Sequence, residues 1–396
     1  MIAREIKPGV KAILSVDWER RLFDALIPLP DGTTYNAYLV KGGAGTALVD
    51  STDPALCNDL LSQLEDVESI DYLVSNHTEQ DHSGLLPMLM ARYPKAVLVC
   101  SAKAKELLST HLDIPVERLR VVADGEEISL GDKTLRFIYT PWVHWPETMC
   151  TFVPELKLLF SCDFFGSHLA TSDLFATDKP HVLRAAKRYF AEIMMPFRAA
   201  IQNNLKKLDA LDFDMIAPSH GPIYNDTAFI LDAYRDWISP KLRNEVCLPY
   251  VSMHGSTKLM VGHLIDALAV RGVKVHPFDV TVADTGDLAM SLVDAATIVV
   301  ATPTVHVGAH PAVYYAAYIA NMVRPKLKYA AVIGSYGWAT KAVDQIAGQI
   351  ANLKAQVLGS VMQKGLPTAE TYAQLDELAD AIAKAHADDP DVVKCP

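Results

Sequence analysis

The sequence predicts an α/β protein in two parts: strands mixed with helices over residues 1–244, and a doubly wound, parallel, five-stranded sheet over residues 245–396. Length is the first ground. At 396 residues, half of them hydrophobic, the chain exceeds the roughly 150 residues that one core usually serves, which favours more than one domain. The second ground is a stretch from Thr46 onward in which short apolar runs alternate with turn signals. The third is a change of rhythm after "DWISPKLRNEV" to a strict repeat of strand, loop and helix.

In the first part "TALVD", "DYLVSNH", "AVLVCS", "LRFIYTP" and "LLFSCD" read as strands, because each is a short apolar run bounded by polar or turn-forming residues. "LLPMLMARY" is amphipathic and reads as a helix between two of them. "HVLRAAKRYFAEIMMPFRAAIQNNLKKLDAL" is the longest helical pattern, and Pro196 should break it. "FDMIAPSHG" closes the part as a strand running into a polar loop.

The boundary falls near Asn244. Beyond it "VCLPYVS", "VKVHPFDV", "ATIVVATP", "YAAVIGS" and "AQVLGSV" supply five strands. Helical patterns such as "LMVGHLIDALAVRG", "AVYYAAYIANMV" and "AVDQIAGQIANL" separate them. Apolar strands that alternate with helices imply a parallel sheet covered on both faces. An acidic, frayed tail is expected after Ala387.

Composition excludes several classes of function. The net charge of −11 has no compensating basic block, which argues against nucleic acid and against an anionic membrane face as partners. No apolar run approaches the ~20 residues needed to cross a bilayer, and "MIAREIKPGVKAIL" lacks a signal-peptide pattern, so the cytoplasm is the expected compartment. Cys57, Cys100, Cys150, Cys162, Cys247 and Cys395 are scattered singly, which suits small core residues better than disulfides or a thiolate cluster.

The stretch "NHTEQDHSG" packs His77, Glu79, Asp81 and His82 into six residues directly after a strand. Loops leaving the carboxyl ends of strands are where side chains converge on ligands. Three later strands end alike, with His144 after "LRFIYTPWV", Asp163 after "LLFSC" and His220 after "FDMIAPS". One histidine in such a place is usually an ordinary loop residue; a dense cluster with three further candidates signals a metal site.

The order H-x-E-x-D-H, then H, D and H, resembles the metallo-β-lactamase-fold domain of flavodiiron proteins, also called A-type flavoproteins, and the resemblance extends along the whole chain. "DWERRLFDALIPLPDGTTYNAYLV" is similar to the family's N-terminal strands, and "PWVHWPETM" and "PSHGPIY" to its ligand loops. The resemblance implies a metallo-β-lactamase-like αββα sandwich followed by a flavodoxin-like domain. It implies two iron ions per chain, one held by His77, Glu79 and His144 and the other by Asp81, His82 and His220, with Asp163 bridging. The chemistry leans the same way. Hydrolytic members of the fold carry H-x-H-x-D-H and bind zinc mostly through neutral imidazoles, whereas Glu79 makes the site harder and more anionic, as a pair of redox-active irons prefers. Affinity order alone would still favour zinc.

"SMHGSTK" follows the first strand of the second part and opens its first helix, so Ser252, Met253, His254, Gly255, Ser256 and Thr257 offer hydroxyls and backbone N–H groups to a phosphate. Taken alone, the loop equally suits helix capping. Two later strand ends, "TPTVHVGAH" with Pro303, Thr304, Val305, His306 and Gly308, and "GSYGWAT" with Ser335, Tyr336, Gly337 and Trp338, resemble the isoalloxazine loops of flavodoxin-like domains. Together they favour FMN, with Trp338 the stacking candidate. His254 departs from the aromatic residue common in relatives. No G-x-G-x-x-G occurs, so a dinucleotide site is not supported.

The resemblance implies an oxidoreductase in which FMN passes electrons to a non-haem di-iron centre that reduces dioxygen to water, nitric oxide to nitrous oxide, or both. It further implies a donor such as rubredoxin or a reduced deazaflavin, and a head-to-tail homodimer or a dimer of dimers. No cysteine-paired extension suggests a fused rubredoxin. His168 and Tyr189 suit supporting or hydrogen-bonding roles near the irons. Two other readings stay open: a zinc metallohydrolase fused to a flavodoxin-like module, and a flavin electron carrier with a structural metal site. No residue separates dioxygen from nitric oxide as the preferred gas.

Overall fold

The computed structural model describes residues 2–393, so Cys395 lies outside the described residues. Contacts divide the chain into two compact units, Met1–Phe190 with Phe197–Ile238, and Ala191–Pro196 with Ser239–Pro396. The change of unit thus falls at Ile238, and Asn244 lies inside the strand Leu242–Tyr250. The polar run "LRNEV" looks like a linker in sequence because Arg243 and Asn244 interrupt it. In the fold Leu242 and Glu245 on either side of them are buried.

The first unit is an αββα sandwich. One sheet runs, in spatial and chain order, Arg4–Lys7, Val10–Asp17, Thr33–Lys41, Thr46–Val49, Tyr72–Ser75, Val97–Cys100 and Leu119–Val121. The other runs Glu127–Ser129, Thr134–Tyr139, Met149–Val153, Leu158–Cys162 and Met215–Pro218. Alternation explains the layering. Val10, Ala12 and Leu14 face the second sheet and pack with its Leu135, Phe137, Met149 and Phe160, whereas Ile13 joins Leu60, Leu86, Leu89 and Leu108 under the helices on the outer face. Met149–Val153 is buried throughout and lacks the polar alternation that marks a half-exposed strand, so its sequence reads as the end of a ligand loop.

The long helical pattern breaks at the expected place, with α-helix over Lys179–Tyr189, a π-turn at Phe190–Met194, a 3-10 turn at Met195–Phe197 and α-helix again over Arg198–Leu208. Proline removes an N–H and crowds the preceding turn, which accounts for the break. Asn204 Nδ2 donates to Pro141 O at 3.0 Å and Lys207 Nζ to Tyr139 O at 2.9 Å, tying the second helix to the second sheet.

The second unit has the expected parallel sheet, in the order Lys274–Asp279, Leu242–Tyr250, Ala295–Val305, Tyr329–Tyr336, Gln356–Lys364. In this doubly wound order the chain reverses direction across the sheet beside its first strand, which opens a crevice at the carboxyl ends. The expected frayed tail is a correction. The last helix, Ala369–Asp388, runs one residue past Ala387, and Val392–Val393 adds to the sheet by pairing with Leu242 and Arg243. The acidic residues there are neutralised: Lys328 Nζ lies 2.8 Å from Asp389 Oδ1 and 2.6 Å from Asp391 Oδ2. Cys100, Cys150, Cys162 and Cys247 are buried free thiols and Cys57 is half-buried. Among the described residues no helix is long and apolar enough to cross a membrane.

Candidate metal centre and flavin cleft

Four chain segments meet at one edge of the sandwich. His77 leaves the strand Tyr72–Ser75, and Glu79, Asp81 and His82 follow in and before the single helical turn Gln80–Ser83. His144 comes from the loop before Met149–Val153, Asp163 directly follows Leu158–Cys162, and His220 follows Met215–Pro218. Backbone geometry aims these groups. Cys162 and Phe165 take left-handed conformations (φ 50° and 70°), and the Asp163 carbonyl accepts from Gly166 N at 2.9 Å, which turns the chain sharply at Asp163. Gly221 (φ +79°) follows His220, and a Cβ there would lie 2.0 Å from Ser167 Oγ, so only glycine fits.

The donor atoms form two groups that share Asp163. Its Oδ2 lies 3.3 Å from His77 Nε2 and 3.2 Å from His144 Nε2, and these imidazoles lie 3.2 and 3.1 Å from Glu79 Oε2. Its Oδ1 lies 2.9 Å from His82 Nε2 and 3.4 Å from His220 Nε2, which lie 3.2 and 3.4 Å from Asp81 Oδ2. Donors placed about 2.0–2.1 Å from a common centre stand about 3.3 Å apart, so both spacings suit a metal ion. Asp163, Asp81, His77, His82 and His220 are at most 5% exposed, and Glu79 and His144 stay open to the outside.

The electrostatics test the fit independently. Both oxygens of Asp81, both ring nitrogens of His82 and Oδ1 of Asp163 are buried without a hydrogen bond, although their neighbours are close. Lone pairs that converge without aligning on one another need a shared cation. Burial works to lower His144, yet hydrogen bonds to Asp163 and Glu79 hold it up to about 9, and burial likewise is outweighed at His220, held up to about 10 by Asp163 and Asp81. Without ions the carboxylates must keep protons on the histidines; divalent cations supply that charge and leave the imidazoles free to ligate. The residues therefore fit a pair of metal ions.

Supports around the ligands escaped the sequence reading. Glu147 Oε1 lies 2.7 Å from His77 Nδ1 and accepts from Thr78 N and Oγ1 at 3.1 and 2.7 Å. His220 Nδ1 donates to Thr34 O at 2.8 Å, which points its Nε2 inward. Asp50 accepts from Asn76 N and Nδ2 at 2.8 and 3.0 Å, bracing the strand end before His77. Glu147 stands in "HWPET", where its place three residues after His144 was the available signal. His168 packs 4.9 Å from the rings of both His220 and Tyr189, with Nδ1 2.9 Å from Thr33 Oγ1. Both side chains are buried beside the centre.

In the second unit a cleft of about 210 Å³ opens at the carboxyl ends of the strands. Ser252, Met253, His254, Ser256, Thr257, Pro303, Thr304, Ser335, Tyr336 and Gly337 line it, with Gly365 added from a loop that the sequence did not flag. Gly255 (φ +91°) caps the helix Ser256–Val270 without a side-chain hydrogen bond of its own; Lys258 N donates to Ser252 Oγ at 3.2 Å, which leaves the amides of the first two helical residues for an anion. Val305, His306 and Gly308 do not line the cleft, because the strand continues to Val305 and folds back through Val305–Gly308 and Thr304–Ala309 pairs. Trp338 is 78% exposed and also outside the lining set.

Comparison with known proteins adds the following. The family described as ODP family beta lactamase matches residues 33–221. The chain is 34% identical to the nitric oxide reductase of Moorella thermoacetica, over 97% of this chain and 98% of the relative. Among solved structures, the rubredoxin oxygen:oxidoreductase of Desulfovibrio gigas superposes with a TM-score of 0.93 at 29% identity, over 97% of this chain and 98% of that one. The flavodiiron protein of Giardia intestinalis superposes at 0.90 with 27% identity, over 97% and 98%.

Proposed function

Because this chain belongs to the flavodiiron, or A-type flavoprotein, family, we propose that its two units carry one electron path ending in the reduction of a small gas. The protein is an oxidoreductase that binds FMN and a non-haem di-iron centre and reduces dioxygen to water, nitric oxide to nitrous oxide, or both. We assign the irons to His77, Glu79 and His144 and to Asp81, His82 and His220, bridged by Asp163. FMN is assigned to the cleft of the second unit, so that residues 1–244 serve as the di-iron domain and 245–396 as the flavin domain.

One observation carries this assignment: the two oxygens of Asp163 each face a separate trio of donors. When bound, the irons supply redox chemistry and open positions for a diatomic ligand. The chain's residues hold the donors in place. Glu147 and the Thr34 carbonyl fix the rings of His77 and His220, and Asp163 keeps both trios in register. Closure by buried side chains keeps bulk water away, while Glu79 and His144 border the opening.

Rubredoxin or a reduced deazaflavin suits the role of donor, since the chain has no dinucleotide fingerprint. A head-to-tail homodimer, alone or paired, would set one subunit's flavin against the other's irons, and the burial of free thiols suits a reducing cytoplasm. Metal analysis joined to anaerobic reduction and rapid mixing tests the reading. Two irons per chain and flavin reoxidation by dioxygen or nitric oxide faster than free FMN are expected. Stoichiometric zinc with turnover in the absence of reductant would make it a hydrolase, and reoxidation no faster than free FMN would leave an electron carrier.

A further inference from the structure

The donors of the metal centre are closed in: His77, Asp81, His82, Asp163 and His220 are at most 5% exposed, so a hydrated divalent ion has no path to them without local movement. The segment over the centre is built to move. Asp17 and Thr33 pair with one another in the first sheet, and the chain between them leaves that sheet and returns to it. Within this excursion Leu22–Phe23 and Ile27–Pro28 form a hairpin of their own that joins neither large sheet of the unit. Its turn holds Asp24 and Ala25 in left-handed conformations (φ 49° and 52°) and closes with Leu26 N donating to Phe23 O at 3.0 Å. Among the described residues, the backbone hydrogen bonds of residues 18–30 all end within residues 17–32. Side chains must therefore fasten the hairpin to the body.

Phe23 sets its ring 5.2 Å from that of His168, Asp24 hydrogen-bonds to Glu79, and Arg20 Nη1 donates to Asp53 Oδ2 at 2.8 Å. Phe23 and Asp24 rest on the centre and its border. Arg20 is anchored away from them. Its guanidinium lies over the rings of Phe23 and Tyr35 at 5.4 and 5.8 Å, so that one cation touches both the hairpin and the sheet strand Thr33–Lys41. Its carboxylate partner is fixed in place. Asp53 Oδ1 accepts from Ala55 N at 2.9 Å and caps the 3-10 turn Pro54–Leu56, two residues after Ser51, whose N donates to the His82 carbonyl at 2.9 Å. The side chains of the pair are only 25% and 14% exposed, and a shielded pair keeps more of its strength than one at the surface.

We propose that the hairpin over residues 22–28 is a cover that swings off the metal centre to admit and release ions, and that Arg20, gripping Asp53, is the latch that sets how often it opens. The inference rests on the assignment of metal ions to this centre. The ions bind the closed form, which dominates with or without the latch, so a weaker latch leaves their affinity unchanged. Ion traffic passes through the rare open form, so entry and exit speed up together as its population grows. Loss of one charge-assisted hydrogen bond with its cation–π contacts raises that population by about tenfold or more.

The test uses full-length protein carrying its metal, challenged anaerobically with excess chromogenic ferrous chelator, and measures ferrous uptake by the metal-free protein in parallel. Arg20→Met, which keeps an apolar stem and removes the charge, and Asp53→Asn should each speed release and uptake by the same factor, about tenfold, with iron content at equilibrium unchanged. The double variant should be no faster than either single one, and Arg20→Lys should fall between Arg20→Met and wild type. Trypsin should cut metal-free Asp53→Asn after Arg20 or Arg21 faster than wild type, a readout that needs no ion. Wild-type rates in both single variants would overturn the proposal. So would faster release with unchanged uptake, the mark of weakened ligation. A wild type that carries zinc would remove the iron reading instead, and the same rates followed with a zinc-sensitive dye would still decide the latch.

Discussion

The two units handle polar groups in opposite ways. The first buries a dense set of ionisable side chains, His77, Asp81, His82, Asp163 and His220 among them, and leaves several of their polar atoms converging without a hydrogen bond. The second keeps its cleft open and lines it with hydroxyls and loop backbone. Its buried histidine, His386, is 3% exposed and neutral, hydrogen-bonded through Nε2 to Thr297 Oγ1 at 2.6 Å and through Nδ1 to Asn244 Oδ1 at 2.7 Å. A buried charge is costly without a partner, so the convergent groups of the first unit call for cations, whereas His386 is satisfied by neutral partners.

The largest break in that contrast is Asp163→Ala. It removes the carboxylate common to both trios and leaves the Nε2 atoms of four imidazoles facing only Glu79 and Asp81. Iron content should fall from two per chain to well below one, and gas consumption by about 100-fold or more, read by metal analysis and an oxygen or nitric oxide electrode. Retention of both irons with normal turnover would mean that Asp163 does not bridge. Flavin content should stay unchanged, which separates this loss from general misfolding.

Glu147→Gln is the subtler form of the same test. The substitution keeps the shape but weakens the acceptor that orients His77 at 2.7 Å. Loss of such a support typically costs about ten- to a hundredfold in metal affinity. Chelator competition should show one iron leaving early and the other, held by Asp81, His82 and His220, leaving as in wild type. Equal loss of both ions would show that the two trios are not independent.

The contrast also explains what was legible in the sequence. The candidate metal ligands are side chains, and side chains that must converge leave a signature in type and spacing; His77, Glu79, Asp81 and His82 stand out within one loop. Glu147 and Thr34 stayed hidden because one acts through a contact seventy residues along the chain and the other through its backbone carbonyl. The parallel sheet was readable from its apolar strands. The flavin loops were readable only in outline, because an extended strand folding back at Val305–Gly308 is decided by backbone pairing that residue types barely encode. The tail after Ala387 misled for a related reason: acidic residues suggest fraying until Lys328, far away in sequence, supplies the opposite charge.

A smaller effect separates the units by pH. Burial depresses His386 to about 4, against a weaker upward pull from Asp389. The folded state therefore binds its proton later than the unfolded chain does, near about 6.5. The stability this neutral ring contributes is whole above about pH 6.5 and is lost as pH falls toward 4, by about 2–3 kcal/mol at most. Denaturant unfolding monitored by flavin release should show that decline, and His386→Gln should flatten it while lowering stability at pH 7. A wild-type profile with no decline between pH 6.5 and 4.5 would mean that the ring is not held neutral.

The smallest expected change concerns Trp338. Its indole is 78% exposed on the loop after Tyr329–Tyr336, beside cleft residues Tyr336 and Gly337 but not itself in the lining. An exposed tryptophan beside a flavin site has an apolar face to gain by covering the ring, and such stacking contributes about 0.5–1.5 kcal/mol beyond area burial, or about two- to tenfold in affinity. Trp338→Ala should therefore weaken FMN and riboflavin by the same factor, since the two share the ring and differ only in the phosphate. If Trp338→Ala leaves both affinities untouched, the indole takes no part in holding the ring, and the face of the flavin must be covered by residues already lining the cleft, with Tyr336 the aromatic group placed to do it.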